Sequence, residues 1–346
     1  MTQERQAEAP SGPVLLAHGA GGRASAELVR GLFAPAFDNP FLRPLSDAAV
    51  LPPLPPGRPA LTTDGFVVDP WQFPGGDLGY LSVCGTVNDL AVSGAVPLWL
   101  TWSLILEEGL DMAILRQVVA SAARASREAG VHLVAGDTKV VPRGKGDKVF
   151  ATTSGLGVVP PDIDVGDHRV HAGDVLIVSG TIGDHGAVVL ATRHALDTGE
   201  LRSCCMPLHQ LARAALQSGA EVHTMHDPTR GGVATVCNEV AQRTGLRIEL
   251  DERTLPFRSE VLAVCELLGL EPLYLACEGR LLVWAPAADA ELVVEALRAC
   301  PGGSGAKVIG HTGPRRTGEA PVVLRTFSRG IRPLDLLSGM DLPRIC

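Results

Sequence analysis

The chain has 346 residues, 46% hydrophobic and 20% charged, enough to bury two ordinary cores, so two domains are expected. A formal charge of -8 supplies no basic stripe to neutralise phosphates and argues against a nucleic-acid partner. The longest apolar run, Pro97 to Leu106, is about half of what a bilayer needs, the first ten residues lack a signal core, and the eight cysteines form no CxxC pair; a cytoplasmic protein with reduced thiols and no membrane span is expected.

In chain order, Val14 to Ala17 reads as a short strand running into His18-Gly19-Ala20-Gly21-Gly22 and a helix from about Ser25. Gly19, Gly21 and Gly22 at such a turn let backbone N–H groups approach an anion. The spacing matches neither a Walker A motif nor GxGxxG, and a plain glycine-rich turn is the alternative. Pro40 to Pro59 is a proline-rich irregular connection holding Asp47, and the strand Ala60 to Thr63 ends at Asp64. Phe73-Pro74-Gly75-Gly76-Asp77 leads into a helix from Leu78 through Val92 that carries Asn88 and Asp89. Ala113 to Ala129 places Ile114, Leu115, Val118 and Val119 on one helical face, with Gly130 as C-cap. An apolar strand from Val131 to Ala135 then ends in Gly136-Asp137-Thr138-Lys139.

Asp47, Asp64, Asp89 and Asp137 recur at strand ends or on a polar helix face, a donor set suited to Mg2+ and a polyphosphate. Any one of them alone reads as a turn former or a helix cap, and it is the recurrence that points to a metal site.

The pattern restarts near His168 to Gly173, which divides the chain into 1–165, 166–330 and a mobile tail, 331–346. The strand Asp174 to Val178 is followed by Gly183-Asp184-His185-Gly186 and a helix from Ala187. Asp227-Pro228-Thr229-Arg230-Gly231-Gly232 opens the helix Val233 to Arg243, either a second anion turn through Asp227, Gly231 and Gly232 or an ordinary N-cap. Glu278 sits between two apolar strands, Leu273 to Cys277 and Leu281 to Trp284; a carboxylate at such a hairpin acts as a base if it is withdrawn from water. The tail has no strong periodicity and ends in Pro343-Arg344-Ile345-Cys346. Cys346 is a candidate carrier thiol, against the alternative of a disordered end with a chance cysteine.

Phe73 to Asp77, Cys84-Gly85-Thr86-Val87-Asn88-Asp89-Leu90, Gly136 to Val141, Gly183 to Gly186, Thr229 to Gly232 and the terminal tetrapeptide together resemble the hydrogenase maturation factor HypE family over nearly the whole chain. The resemblance implies a two-domain fold like that of aminoimidazole ribonucleotide synthetase (PurM-like), with an N-terminal α/β domain, a C-terminal α+β domain and a homodimer formed through the N-terminal sheets. It further implies that a partner, HypF, carbamoylates Cys346, that ATP with Mg2+ dehydrates the thiocarbamate to a thiocyanate, and that cyanide passes to iron on a HypC–HypD complex. By the same likeness Lys139 and Glu278 handle protons, Lys139 alternatively clamping phosphate. Asn88, Asp137, Thr138 and the glycine turns would contact nucleotide. His226, Cys277 and Gly65 depart from the family pattern, where Arg, Asn and Ser are frequent. Two other readings are another ATP-using kinase or synthetase of the superfamily, which has no use for a carrier thiol, and a docking protein.

Overall fold

The computed structural model describes residues 11–337, 342 and 344–346, so Pro343 lies outside the described residues. The first half is built on strands β1 (Arg58–Phe66), β4 (Val96–Glu107), β5 (His132–Val141) and β6 (Val149–Val159), with a small hairpin of β2 (Gln72–Phe73) and β3 (Gly76–Asp77) between β1 and β4. The sheet order is β1-β6-β4-β5, with β4 and β5 parallel and the other pairs antiparallel.

Helices Leu78–Val92 and Met112–Ala129 pack together beside the sheet. Leu78–Val92 is apolar almost all round and is buried on nearly every side, as such a helix must be. Met112–Ala129 is amphipathic, opens on Asp111, whose carboxylate accepts from the Ala113 amide at 2.8 Å, and closes on Gly130 at φ 69°. A Cβ on Gly79 would stand 1.9 Å from the Val118 carbonyl oxygen, so the two helices meet through this glycine. Gly79→Ala is expected to cost about 3 kcal/mol or more through overpacking, read as a lower urea midpoint; an unchanged midpoint would show that the helices part freely there.

The second half forms a seven-stranded sheet of β7 (Asp174–Val178), β8 (Thr224–His226), β9 (Arg247–Asp251), β10 (Leu282–Pro286), β11 (Lys307–Gly313), β12 (Val322–Arg325) and β13 (Ile331–Pro333), ordered β13-β12-β9-β11-β7-β10-β8. Both faces are covered. Along β10, Leu282 and Trp284 enter one core with Val233, Cys237 and Val240 of helix Gly232–Thr244, while Val283 and Ala285 enter another with Leu211 and Leu297. Among the described residues no helix is long and apolar enough to cross a membrane.

Two expected strands are absent. Val14 is buried and its amide donates to the Leu110 carbonyl at 2.7 Å, but Leu15 and Leu16 are exposed and Leu16–Gly19 winds into a 3-10 turn in place of a strand. Pro272 opens a 3-10 turn over Pro272–Tyr274, so Leu273 to Cys277 is not a strand and Glu278 sits on a loop instead of a hairpin.

Candidate functional site

Two cavities collect the polar residues singled out in the sequence. The larger, about 330 Å³, is lined by the turn at Gly19 and Gly21, Asp47, and Asp137, Thr138 and Lys139 of β5. In it the Lys139 ammonium pairs with Asp137 at 2.7 Å, which holds that carboxyl below its ordinary range, and the Thr138 amide donates to Asp137 at 2.8 Å. Gly19 is required by close approach, since a Cβ there would stand 2.5 Å from the Val140 nitrogen. Gly22 precedes helix Arg23–Leu28, and the Gly21 amide is taken by the Ser25 hydroxyl at 3.0 Å.

The smaller cavity, about 40 Å³, gathers Asp64, Asp89, Asp227, Arg230, Glu278 and Cys346. Four carboxylates share this space with one guanidinium. Burial and the neighbouring Asp89 push Asp64 up to about 6; burial, then Asp89, push Asp227 up to about 7; burial, then Asp227 and Asp64, push Glu278 up to about 8. Arg230 opposes each rise for Asp64 and Glu278. Burial also raises Asp89, whose carboxylate accepts from the Thr62 hydroxyl at 2.6 Å. Glu278 Oε1 and Asp227 Oδ2 are buried and accept no hydrogen bond.

Cys346 reaches this cavity because the last three residues lie along Val67–Asp69. The Val67 amide donates to the Cys346 carbonyl at 3.1 Å and the Asp69 amide to the Arg344 carbonyl at 3.2 Å, an alternation like that of paired strands. The Arg193 guanidinium donates to the same Arg344 carbonyl at 2.9 Å, Arg344 Nε donates to the Val67 carbonyl at 3.0 Å, and Arg344 pairs with Asp147. Ile345 is buried. Burial and then Glu278 push the Cys346 thiol up to about 12.

The loop bearing Glu278 is fixed from both halves. A Cβ on Gly279 would stand 1.8 Å from the Cys204 carbonyl oxygen, so only glycine fits beneath the turn. Arg280 donates to the Thr181 carbonyl at 2.8 Å and to the Gly279 carbonyl at 3.0 Å, and pairs with buried Asp184 at 3.3 Å. Cys277 turns the other way, into the second core, where its sulfur accepts from the Gly183 amide at 3.1 Å, so this departure from the family pattern does not face the cavity.

The four aspartates expected to gather do not. Asp64 pairs across the sheet with Thr153, Thr153 with Trp102 and Trp102 with Gly136. Three strand spacings, about 14 Å, therefore separate the row of Asp64 and Asp89 from that of Asp137 and Lys139. Among the described residues no group of three or more His, Cys, Asp or Glu side chains is arranged to hold a metal ion. Lys139 lines the large cavity and does not meet Glu278 and Cys346 within this chain.

Asn88 also departs from the expected contact with nucleotide. It is fully buried, donates to the Met206 and Glu278 carbonyls at 3.2 and 3.3 Å, and accepts from the Leu208 amide at 2.7 Å, so its amide is spent on clipping the two halves together. The Gly232 amide donates to the Thr229 carbonyl at 2.9 Å, and a Cβ there would stand 2.5 Å from the Leu273 carbonyl oxygen. Gly231, at φ 76°, would meet Thr235. This pair serves the seating of helix Gly232–Thr244 and is not an open anion turn. Arg230 and His185 lay inside quoted motifs without a role, and Arg193 in none of them, since only the fold brings the three to the cavity or the tail.

Comparison with known proteins places this geometry. Models for AIR synthase related protein match at residues 45–159 for its N-terminal domain and 171–323 for its C-terminal domain. The chain is 48% identical over 337 residues to carbamoyl dehydratase HypE of Rhodobacter capsulatus, covering 96% of this chain and 98% of that one. A crystal structure of hydrogenase maturation protein HypE in complex with ATP superposes with a TM-score of 0.91 at 44% identity, covering 96% of this chain and 99% of that one. A HypE–HypF complex matches with a TM-score of 0.77 at 39% identity, covering 91% and 100%.

Proposed function

The chain belongs to the HypE family of carbamoyl dehydratases, and from that premise we propose that it uses ATP to dehydrate a carbamoyl group carried on its own Cys346 thiol. The carrying observation is that Cys346 shares a small cavity with Glu278, a buried carboxyl with an unpaired oxygen. A water-sized group needs about 10–15 Å³ on this measure, so the cavity takes roughly three non-hydrogen atoms, the number a carbamoyl group adds to sulfur.

In the reaction the thiocarbamate oxygen attacks the γ-phosphorus, the bond from that phosphorus to ADP breaks, and one N–H proton is lost. The C–O bond then breaks, phosphate leaves with that oxygen, the second N–H proton is lost, and S–C≡N remains. Glu278 in its ionised form takes a proton from nitrogen. Arg230 offsets charge where four carboxylates crowd. Asn88, Gly279 and Arg280 hold the Glu278 loop against the thiol.

The large cavity is of the size small-molecule sites take, and the Gly19–Gly21 turn with Lys139 suits the nucleotide there. The thiol-side residues suit Mg2+ too, because Asp64 and Asp89 crowd with little counter-charge, and Mg2+ takes one or two carboxylates while phosphate and water complete its shell. Asp47 and Asp137 stand on the nucleotide side. Bound there, Mg2+ neutralises phosphate charge.

The partners in this reading are a HypF-type carbamoyl donor, a HypC–HypD iron acceptor of the cyanide for [NiFe] hydrogenase, and a second copy of the chain. The sheet edge and faces carry exposed Leu61 (78%), Val96 and Ile105, which suit a homodimer contact. The test is intact-mass spectrometry after incubation with a carbamoyl donor system, before and after ATP. Gain of one carbamoyl group at Cys346 and then loss of one water are expected; no mass change at Cys346 with an active donor would overturn the reading.

A further inference from the structure

His185 is fully buried and burial lowers its pKa to about 4, so the ring is neutral. Its Nε2 lies 2.9 Å from the Ile345 carbonyl oxygen and its Nδ1 2.9 Å from the Ser203 hydroxyl. A carbonyl oxygen only accepts, so Nε2 carries the hydrogen; Nδ1 is then the acceptor and the Ser203 hydroxyl must donate to it. The Cys205 amide donates to that same hydroxyl oxygen at 3.1 Å, and the Ser203 amide donates to the Pro74 carbonyl at 2.8 Å. Every role in this chain of bonds is therefore assigned without conflict. Phe73 fixes the ring plane edge-to-face, with centroids 5.1 Å apart.

The bond falls on backbone, not on the Ile345 side chain. The Arg344 and Cys346 carbonyls face Val67–Asp69 and the Ile345 carbonyl between them faces His185, so the three carbonyls are read from two sides. A slip of one residue along such a segment exchanges its two faces and would present Ile345 to the cavity in place of Cys346.

We propose that His185 is the positioning residue that sets the register of the docked C-terminus, its Nε2–H holding the Ile345 carbonyl so that the sulfur of Cys346 enters the Glu278 cavity, with Ser203 fixing the required tautomer. The purpose rests on the carrier-thiol reading, but the geometry and its test do not. The measurement is the rate at which iodoacetamide alkylates Cys346 in the full chain, followed by mass spectrometry of the C-terminal peptide. His185→Phe keeps a ring and loses the donor, and alkylation is expected to rise about tenfold, the weight of one buried hydrogen bond. His185→Gln restores an N–H near the Nε2 position and is expected to return the rate to within about threefold of the parent. Ser203→Ala leaves the ring in place and is expected to raise the rate about threefold by releasing the tautomer. Rates for His185→Phe within twofold of the parent, or equal rates for the Phe and Gln variants, overturn the proposal. If His185→Phe does not fold, Ser203→Ala decides it, an unchanged rate there being the overturning result. Alkylation as expected in a chain that never dehydrates a carbamoyl group would sink the catalytic reading alone.

Discussion

Cys346→Ala is expected to abolish dehydration of a carbamoyl group while leaving ATP affinity within about twofold, because the large cavity and the Cys346 cavity share no lining residue and separated sites add independently. The alanine removes the one atom to which the reacting group is attached, so no residual rate through an alternative carrier is expected. Intact-mass spectrometry with the donor system reads the first part, and nucleotide titration reads the second. Full dehydration by the alanine chain would end the carrier-thiol reading. A large loss of ATP affinity would instead show that the sulfur itself helps to hold the nucleotide.

The second large effect is expected at Glu278. Removing a general base lowers a rate by about 10²–10⁴-fold, and Glu278→Gln keeps the shape while removing the charge. The parent rate is expected to climb as pH rises through about 8, where Glu278 ionises, and then level. The Gln variant should lack that climb; the same climb in both would remove Glu278 as the base. Stability moves the opposite way. A carboxyl raised above its ordinary 4.5 favours the neutral acid in the folded chain, so its contribution is intact below about 4.5 and is lost as pH rises through about 8. Glu278→Gln, neutral throughout, is therefore expected to melt above the parent at pH 9 and close to it at pH 4.

The parts that were legible in the sequence were those carried by local pattern. Helices Leu78–Val92 and Met112–Ala129 announce themselves by apolar content and by Gly130, and the FPGGD, GDHG and TRGG motifs all mark turns that the fold uses. Pairing of distant strands was not legible. Asp64 and Asp137 both read as strand-end residues in the sequence, yet β5 runs on to Val141, β1 and β5 are opposite edges of one sheet, and nothing in spacing reveals that β6 and β4 come between them. The same blindness hid the partners of Asn88, each at least 118 positions away. Glycine is ambiguous for a related reason: Gly232 looks like a loop residue shaped for a ligand, and close approach of another backbone explains it.

The thiol of Cys346 has one more consequence. Pushed up to about 12 when docked by burial and then by Glu278, it is ionised far less at pH 7 than a free thiol of about 8.5, and thiolate is the form that attacks electrophiles. Docking therefore makes the sulfur chemically silent. On the carrier-thiol reading proposed above, acylation and dehydration would then be separate in time as well as place, with the sulfur loaded while it is away from the acidic cavity and acted upon once it has docked.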